Sequence, residues 1–108
     1  LLENGADANL KDTDTDFTPL MVAAAKGHDS FMRVLLENGA DIDLHTRDGY
    51  TAVMIAAASG NISTVRLLIK RGADLNFRSN RGWTALTYAR KRGYTKIGRL
   101  LEEAEAEE

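Results

Sequence analysis

The fold class the sequence predicts is all-α: a solenoid of stacked helix-turn-helix pairs joined by extended fingers. Three observations lead to it. Thr18, Thr51 and Thr84 stand 33 positions apart, Gly27, Gly60 and Gly93 keep the same interval, and Gly39 and Gly72 repeat it. Each copy thus carries a helix start, a first stop and a second stop in one order. A period of this length marks an array whose units bury their apolar faces only against neighbours.

Taken in order, the chain opens with LLENGADANL, which matches the end of a later copy, since Leu1 to Gly5 align with Leu35 to Gly39 and Leu68 to Gly72. The expectation is a fragment or processed product of a longer array, opening inside a second helix. Leu1 and Leu2 are then poorly packed or lean on another molecule, and this uncapped end is a surface for self-association. Thr18, Thr51 and Thr84 each precede an apolar run, where a hydroxyl accepts a bond from an orphan amide of the first turn, and Pro19 follows at the first helical position. Ala23, Ala24, Ala56, Ala57 and Ala89 give the first helices a small-residue face for close approach. Gly27, Gly60 and Gly93 end those helices through the left-handed conformation. The second helix carries Phe31, Val34, Leu35 and Leu36 in one copy and Ile62, Val65, Leu67, Leu68 and Ile69 in the next, the spacing of a buried stripe. Gly39 and Gly72 stop it. In the last copy Arg90 replaces Ala57, which makes that copy a C-terminal cap with a polar outer face of Arg90, Lys91, Arg92, Lys96 and Arg99. Glu105 replaces the stopping glycine, so the final helix is expected to run into EEAEAEE and fray, held by Leu100 and Leu101. Its acidic residues oppose the helix dipole. The organisation read from these marks is one domain, with a trailing half repeat at 1–14, repeats at 15–47 and 48–80, and a capping repeat at 81–108.

Laid over one another, the copies read DFTPLMVAAAKGHDSFMRVLLENGADIDL, DGYTAVMIAAASGNISTVRLLIKRGADLNF and RGWTALTYARKRGYTKIGRLLEEAEAEE. They carry TPL at Thr18 to Leu20, GH at Gly27 and His28, and GAD at Gly39 to Asp41 and Gly72 to Asp74. Over essentially the whole chain they resemble ankyrin repeats. The resemblance implies an ankyrin-repeat solenoid with β-hairpin-like fingers and partner binding on the concave side, made by finger tips and first helices. It departs at the histidine of the TPLH motif, a column filled here by Met21, Met54 and Thr87. The hydrogen-bond network of that histidine is therefore not expected, and methionine serves as a flexible filler. His28, on the GH position, reads as a packed structural residue.

With 108 residues, 44% hydrophobic and 28% charged, and a single proline, the chain reads as one globular unit and not a disordered tail. The absence of cysteine removes disulfides and thiolate metal sites and fits a reducing compartment. No apolar stretch approaches the roughly 20 residues of a membrane span, and there is no charged-then-apolar leader. The expected location is cytoplasmic or nuclear, with no membrane partner. The first finger, Asp7 to Thr18, is one residue longer than the later ones and spells DxDxT at Asp14 to Thr18. A haloacid-dehalogenase-type nucleophile needs an apolar strand before that motif, and LKDT stands there. A calcium loop starting at Asp12 needs glycine in sixth and glutamate in twelfth place, where Phe17 and Ala23 stand. The stretch reads as a solvated acidic turn. His28 and His45 are isolated from each other, so neither a metal site nor a cofactor is expected. With no Gly-rich phosphate loop, no cysteine nucleophile and no histidine at motif spacing from both a nucleophile and a carboxylate, the chain does not read as an enzyme.

Function is sought in the charge pattern. Up to Val65 the chain sums to -6, from Arg66 to Arg99 to +9, and beyond that to -5. Arg66, Lys70, Lys96 and Arg99 fall on outward helix faces, where plain solubility explains them. Carried over from the resemblance, the concave surface includes Phe17, His45, Arg47, Asp48 and Tyr50, then Arg78, Asn80, Arg81 and Trp83, with Lys26, Ser59 and Arg92 along the first helices. Phe17, Tyr50 and Trp83 share one column about 10 Å apart, the thickness of one helix layer. Aromatic rings beside arginine are typical of interface hot spots, although an aromatic before the threonine also serves local packing. The leading reading is a non-catalytic protein or peptide binder preferring an acidic or phosphorylated segment. Nucleic-acid or nucleotide binding through the same residues is the alternative, disfavoured by a pI of about 5.7, the Asp-rich first finger and the acidic tail. A purely structural segment of a longer array is the third.

Overall fold

In the computed structural model, which describes residues 8–106, the backbone turns helical immediately after each threonine. Thr18 Oγ1 accepts the N–H of Met21 at 3.2 Å, Thr51 that of Met54 at 3.4 Å, and Thr84 that of Thr87 at 3.4 Å. Thr87 returns the bond, its hydroxyl accepting from Thr84 N–H at 3.3 Å, which closes a capping box. The described helices are α1 (Pro19–Lys26), α2 (Asp29–Glu37), α3 (Ala52–Ser59), α4 (Ile62–Lys70), α5 (Ala85–Lys91) and α6 (Thr95–Ala106). No strand forms among the described residues. Instead each finger closes in a short backbone-bonded turn: Thr46 N–H donates to Tyr50 O and Thr46 O accepts from Gly49 N–H, while Ser79 N–H donates to Trp83 O and Ser79 O accepts from Gly82 N–H. None of the helices is long and apolar enough to cross a membrane.

The inner helices α1, α3 and α5 lie side by side, with α3 packed on both others. Their alanines make that approach possible: Ala23, Ala24, Ala56, Ala57 and Ala89 are all buried. Met21 and Met54 fill their column as buried apolar side chains, and Thr87 uses it for its cap. Gly27 and Gly60, at φ 72° and 78°, end α1 and α3 in the left-handed region. α5 stops one residue earlier in its copy, with Arg92 as its cap ahead of Gly93.

The outer helices correct part of the expected stripe. In α4, Val65, Leu67 and Leu68 are buried as expected, and Thr64 joins them. In α2, Met32 and Leu35 are buried, whereas Phe31 and Val34 are 48% and 46% exposed. The cause lies in the stack. Phe31 and Val34 correspond to Thr64 and Leu67 of α4, which α2 covers, and among the described residues nothing lies on that side of α2. His28 is also corrected: it is exposed at the start of α2, and its side chain makes no cap bond. The expectations for Leu1 and Leu2, including self-association through that end, lie outside the described residues, as do the last two residues of the tail. At the other end Leu101 is fully buried, Leu100 half-buried, and Arg90 is exposed and paired with Glu102.

Polar side chains tie the layers together. Asp29 accepts from the hydroxyls of Ser63 and Thr64, joining α2 to α4. Asn61 donates to the carbonyls of Ala24 at 3.0 Å and Ala25 at 3.3 Å, covering the open end of α1 from the next layer. Between fingers, Asn9 accepts from Asp41 N–H at 2.6 Å, and Asp43, its counterpart one copy on, accepts from Asp74 N–H at 2.8 Å. Asn80 N–H donates to Asp48 O at 2.9 Å, and Lys11 Nζ to His45 O at 2.7 Å. These bonds hold consecutive fingers in line.

Candidate binding face

The finger bonds and the inner-helix stack leave one concave surface between them. A groove of about 540 Å³ runs along it, lined by Phe17 of the first finger, by Tyr50, Met54, Ile55, Ala58 and Ser59 of the central copy, and by Tyr88, Arg92 and Tyr94 of the last. Three copies contribute to it, which only a stack in register allows. Of the residues expected at the site, Phe17, Tyr50, Ser59 and Arg92 are brought together here.

Trp83 and Arg81 form a second group beside the groove. The Trp83 ring meets Tyr88 edge-on at 5.1 Å between centroids, and Tyr88 in turn meets Tyr50 at 6.0 Å. Tyr88 thus links the two expected aromatics from below. It is 8% exposed, and its hydroxyl donates to Ser79 Oγ at 2.8 Å. Burial pushes the Tyr88 phenol above its usual range, with the Ser79 bond opposing. Arg81 and Lys91 both lie over the Trp83 indole, 5.2 and 5.4 Å from its centroid, in cation–π contact. Lys91, expected on the polar outer face of the last copy, is exposed there and also reaches over the Trp83 ring.

His45, Arg47 and Arg78 lie outside the groove lining. The His45 ring rests against Phe77 of the next finger at 4.7 Å, and the Arg78 guanidinium donates to Gly82 O of its own finger at 2.9 Å. Arg47 is held by the first finger: its N–H donates to Asp16 at 2.6 Å, and its side chain pairs with the same carboxylate at 3.8 Å. This corrects the acidic turn. Asp12 and Asp14 are exposed, but Asp16, at φ 67°, turns inward and receives Arg47 and Lys11. The extra residue of this finger supplies that side-chain acceptor where the next pair of fingers uses the Asp48 carbonyl. Asp12 closes the turn by accepting the N–H groups of Asp14 and Thr15, and these bonds, that of Thr15 foremost, hold its carboxyl below the usual range.

Electrostatically the face is lopsided. Among the described residues the ion pairs run Lys11–Asp16, Arg47–Asp16, Arg71–Glu37 and Arg90–Glu102. Arg81, Lys91 and Arg92 take part in none of these. Arg92 reaches instead to Ala58 O at 3.2 Å, across the floor of the groove. Sequence reasoning missed Ile55, Ala58, Tyr88, Lys91 and Tyr94. The signal was present: Val22, Ile55 and Tyr88 form one 33-residue column, one helical turn before Lys26, Ser59 and Arg92, and Ala25, Ala58 and Lys91 form another, one turn after the first.

The comparisons agree with this architecture. The family model described as ankyrin repeats (3 copies) matches residues 1–79 and 38–107. An ankyrin repeat and KH domain-containing protein of Caenorhabditis briggsae is 42% identical over 50 residues, a stretch that covers 45% of this chain and 2% of that protein. The chain thus spans only a small part of that relative. With the family model covering nearly its whole length, stacked helix pairs in the expected register and threonine-capped inner helices, the chain belongs to the ankyrin-repeat family.

Proposed function

We propose that this chain is a non-catalytic module that takes a protein or peptide segment on its concave face and prefers acidic segments. Ankyrin repeats are generally protein–protein interaction modules. The observation that carries the finer reading is the groove itself: an aromatic and aliphatic floor from three copies with Arg92 in its lining, and beside it Arg81 and Lys91 over the Trp83 ring that meets Tyr88, all three cations absent from the ion pairs of the described residues. Apolar floor supplies affinity by excluding water, and a desolvated aromatic next to arginine is the composition in which interface energy concentrates. Unpaired cations at the rim steer acidic partners and reject basic ones.

The test is affinity capture with the immobilised chain, compared with Arg81→Glu and with the Trp83→Ala/Arg81→Ala double variant, each first shown to be folded by circular dichroism. Proteins retained by the parent and lost from both variants support the reading. An unchanged set of retained proteins overturns it. Retention that collapses between low and physiological salt and disappears on nuclease treatment would point to nucleic acid instead.

A further inference from the structure

The concave columns change character along the stack. Going from the second copy to the third, Ile55 becomes Tyr88, Ala58 becomes Lys91 and Ser59 becomes Arg92. The finger column changes with them: Phe17 and Tyr50 line the groove, whereas Trp83 lies under Arg81 and Lys91. One end of the face is therefore an apolar slot and the other a cationic shelf.

Resting on the proposed peptide-binding reading, we infer that the recognised segment is bipartite. It is an extended peptide with one large apolar side chain seated among Phe17, Tyr50 and Ile55, and carboxylates on one side of that anchor only, meeting Arg81, Lys91 and Arg92. Charge complementarity selects the acidic half. Two cations share one indole, and their mutual repulsion is relieved by an anion brought between or beside them. The same cations disfavour a basic anchor in the aromatic slot, since a bound ammonium would face Arg92 with no carboxylate in the groove lining.

Carboxylates fit better than a single phosphate. A phosphate is recognised by donors converging on one point, typically paired arginine forks. Here the Arg92 fork is turned to Ala58 O and the Arg78 fork to Gly82 O, on different elements. Single charges spread over a finger and a helix match acidic side chains spread along a chain.

Spacing follows from the stack. Helix layers lie about 8–10 Å apart, and an extended chain advances about 3.3 Å per residue. The slot belongs to the first two layers and the shelf to the third, a separation of one to one and a half layers. The acidic residues therefore fall about two to five positions from the anchor.

A phage-displayed library of random dodecapeptides, panned on the folded chain, tests this. The expected binders carry an aromatic or branched apolar residue with acidic residues about two to five positions away, always on the same side, by the layer spacing and strand rise given above. Synthetic copies should lose on the order of tenfold in affinity when the anchor becomes Ser or the acids become Gln, a loss of roughly 1.4 kcal/mol. Lys91→Glu/Arg92→Glu should abolish the acid preference, and Ala58→Glu the anchor preference, with the helical spectrum unchanged. Binders that compete at the groove but show no such spacing, or are basic, overturn the bipartite inference and leave the concave reading standing. Binders insensitive to every concave substitution overturn the concave reading itself, and a library that yields no binder overturns both.

Discussion

Gly49 and Gly82 occupy equivalent places in successive finger turns, at φ 84° and 80°, and alanine at the two should behave differently. At Gly82 an added Cβ meets nothing within 4 Å. The substitution then costs only the left-handed strain of an L-residue, about 1–2 kcal/mol. At Gly49 the same Cβ would lie 2.9 Å from Ser79 Cα and 3.1 Å from Asn80 N, both backbone atoms of the neighbouring finger. These atoms cannot step aside as a side-chain tip does, because Asn80 N–H is bonded to Asp48 O at 2.9 Å. Gly49→Ala must therefore push two fingers apart, adding an overpacking cost of about 1–3 kcal/mol to the same strain, for a total of about 2–5 kcal/mol. Urea unfolding followed by circular dichroism reads both losses, with equal m-values showing that the unfolding unit has not changed. If the two variants agree to within about 0.5 kcal/mol, the usual limit of additivity, the fingers are not in contact as described and the reasoning is refuted.

Asn61→Ala leaves the Ala24 and Ala25 carbonyls without their donor and should cost about 1–2 kcal/mol in chemical denaturation; a loss near zero would mean that the layers do not depend on this cap. Gly98→Ala should stabilise by about 0.5–1 kcal/mol, because the residue is helical and its Cβ would meet only Leu86 Cδ1 at 3.8 Å; a lower melting temperature contradicts this. Leu68→Ala, at a fully buried position, should cost about 2–5 kcal/mol, and thermal melting within a degree of the parent would contradict its placement. The lowered Asp12 carboxyl binds its proton less readily in the folded than in the unfolded chain, so its stabilisation is present at neutral pH and is lost as the pH falls through the lowered value. Carboxyl NMR titration should place Asp12 below an unstructured aspartate, and an ordinary value would remove this contribution.

Helix starts and stops were legible because they are local: a threonine hydroxyl reaches an amide three residues on, and glycine alone enters the left-handed region cheaply. The phase of the α2 stripe was not, because Phe31, Met32, Val34, Leu35 and Leu36 cover more than one helix face. Which face is buried is decided by the neighbouring layer, as Thr64 and Leu67 show from the other side. The inward turn of Asp16 was hidden for a related reason. Its left-handed backbone and its bond to Arg47, 31 residues away, are products of finger stacking. Of the expected aromatic column, Phe17 and Tyr50 line the groove and Trp83 lies beside it, and the ring that joins Tyr50 to Trp83, Tyr88, comes from an inner helix and not from a finger. Its column mates Val22 and Ile55 are not aromatic, so the 33-residue column marks its face and not its ring.

The central claim is that consecutive fingers lie against one another and so place all three copies on one concave face. A two-dimensional NOE spectrum tests it at the closest approach. The Gly49 α-proton that stands where a Cβ would be points at Ser79 Cα, which a Cβ there would approach to 2.9 Å, so a strong cross-peak between the α-protons of Gly49 and Ser79 is predicted. Its absence, with both resonances assigned and sharp, would mean that the fingers stand apart and that the groove does not exist as a single surface.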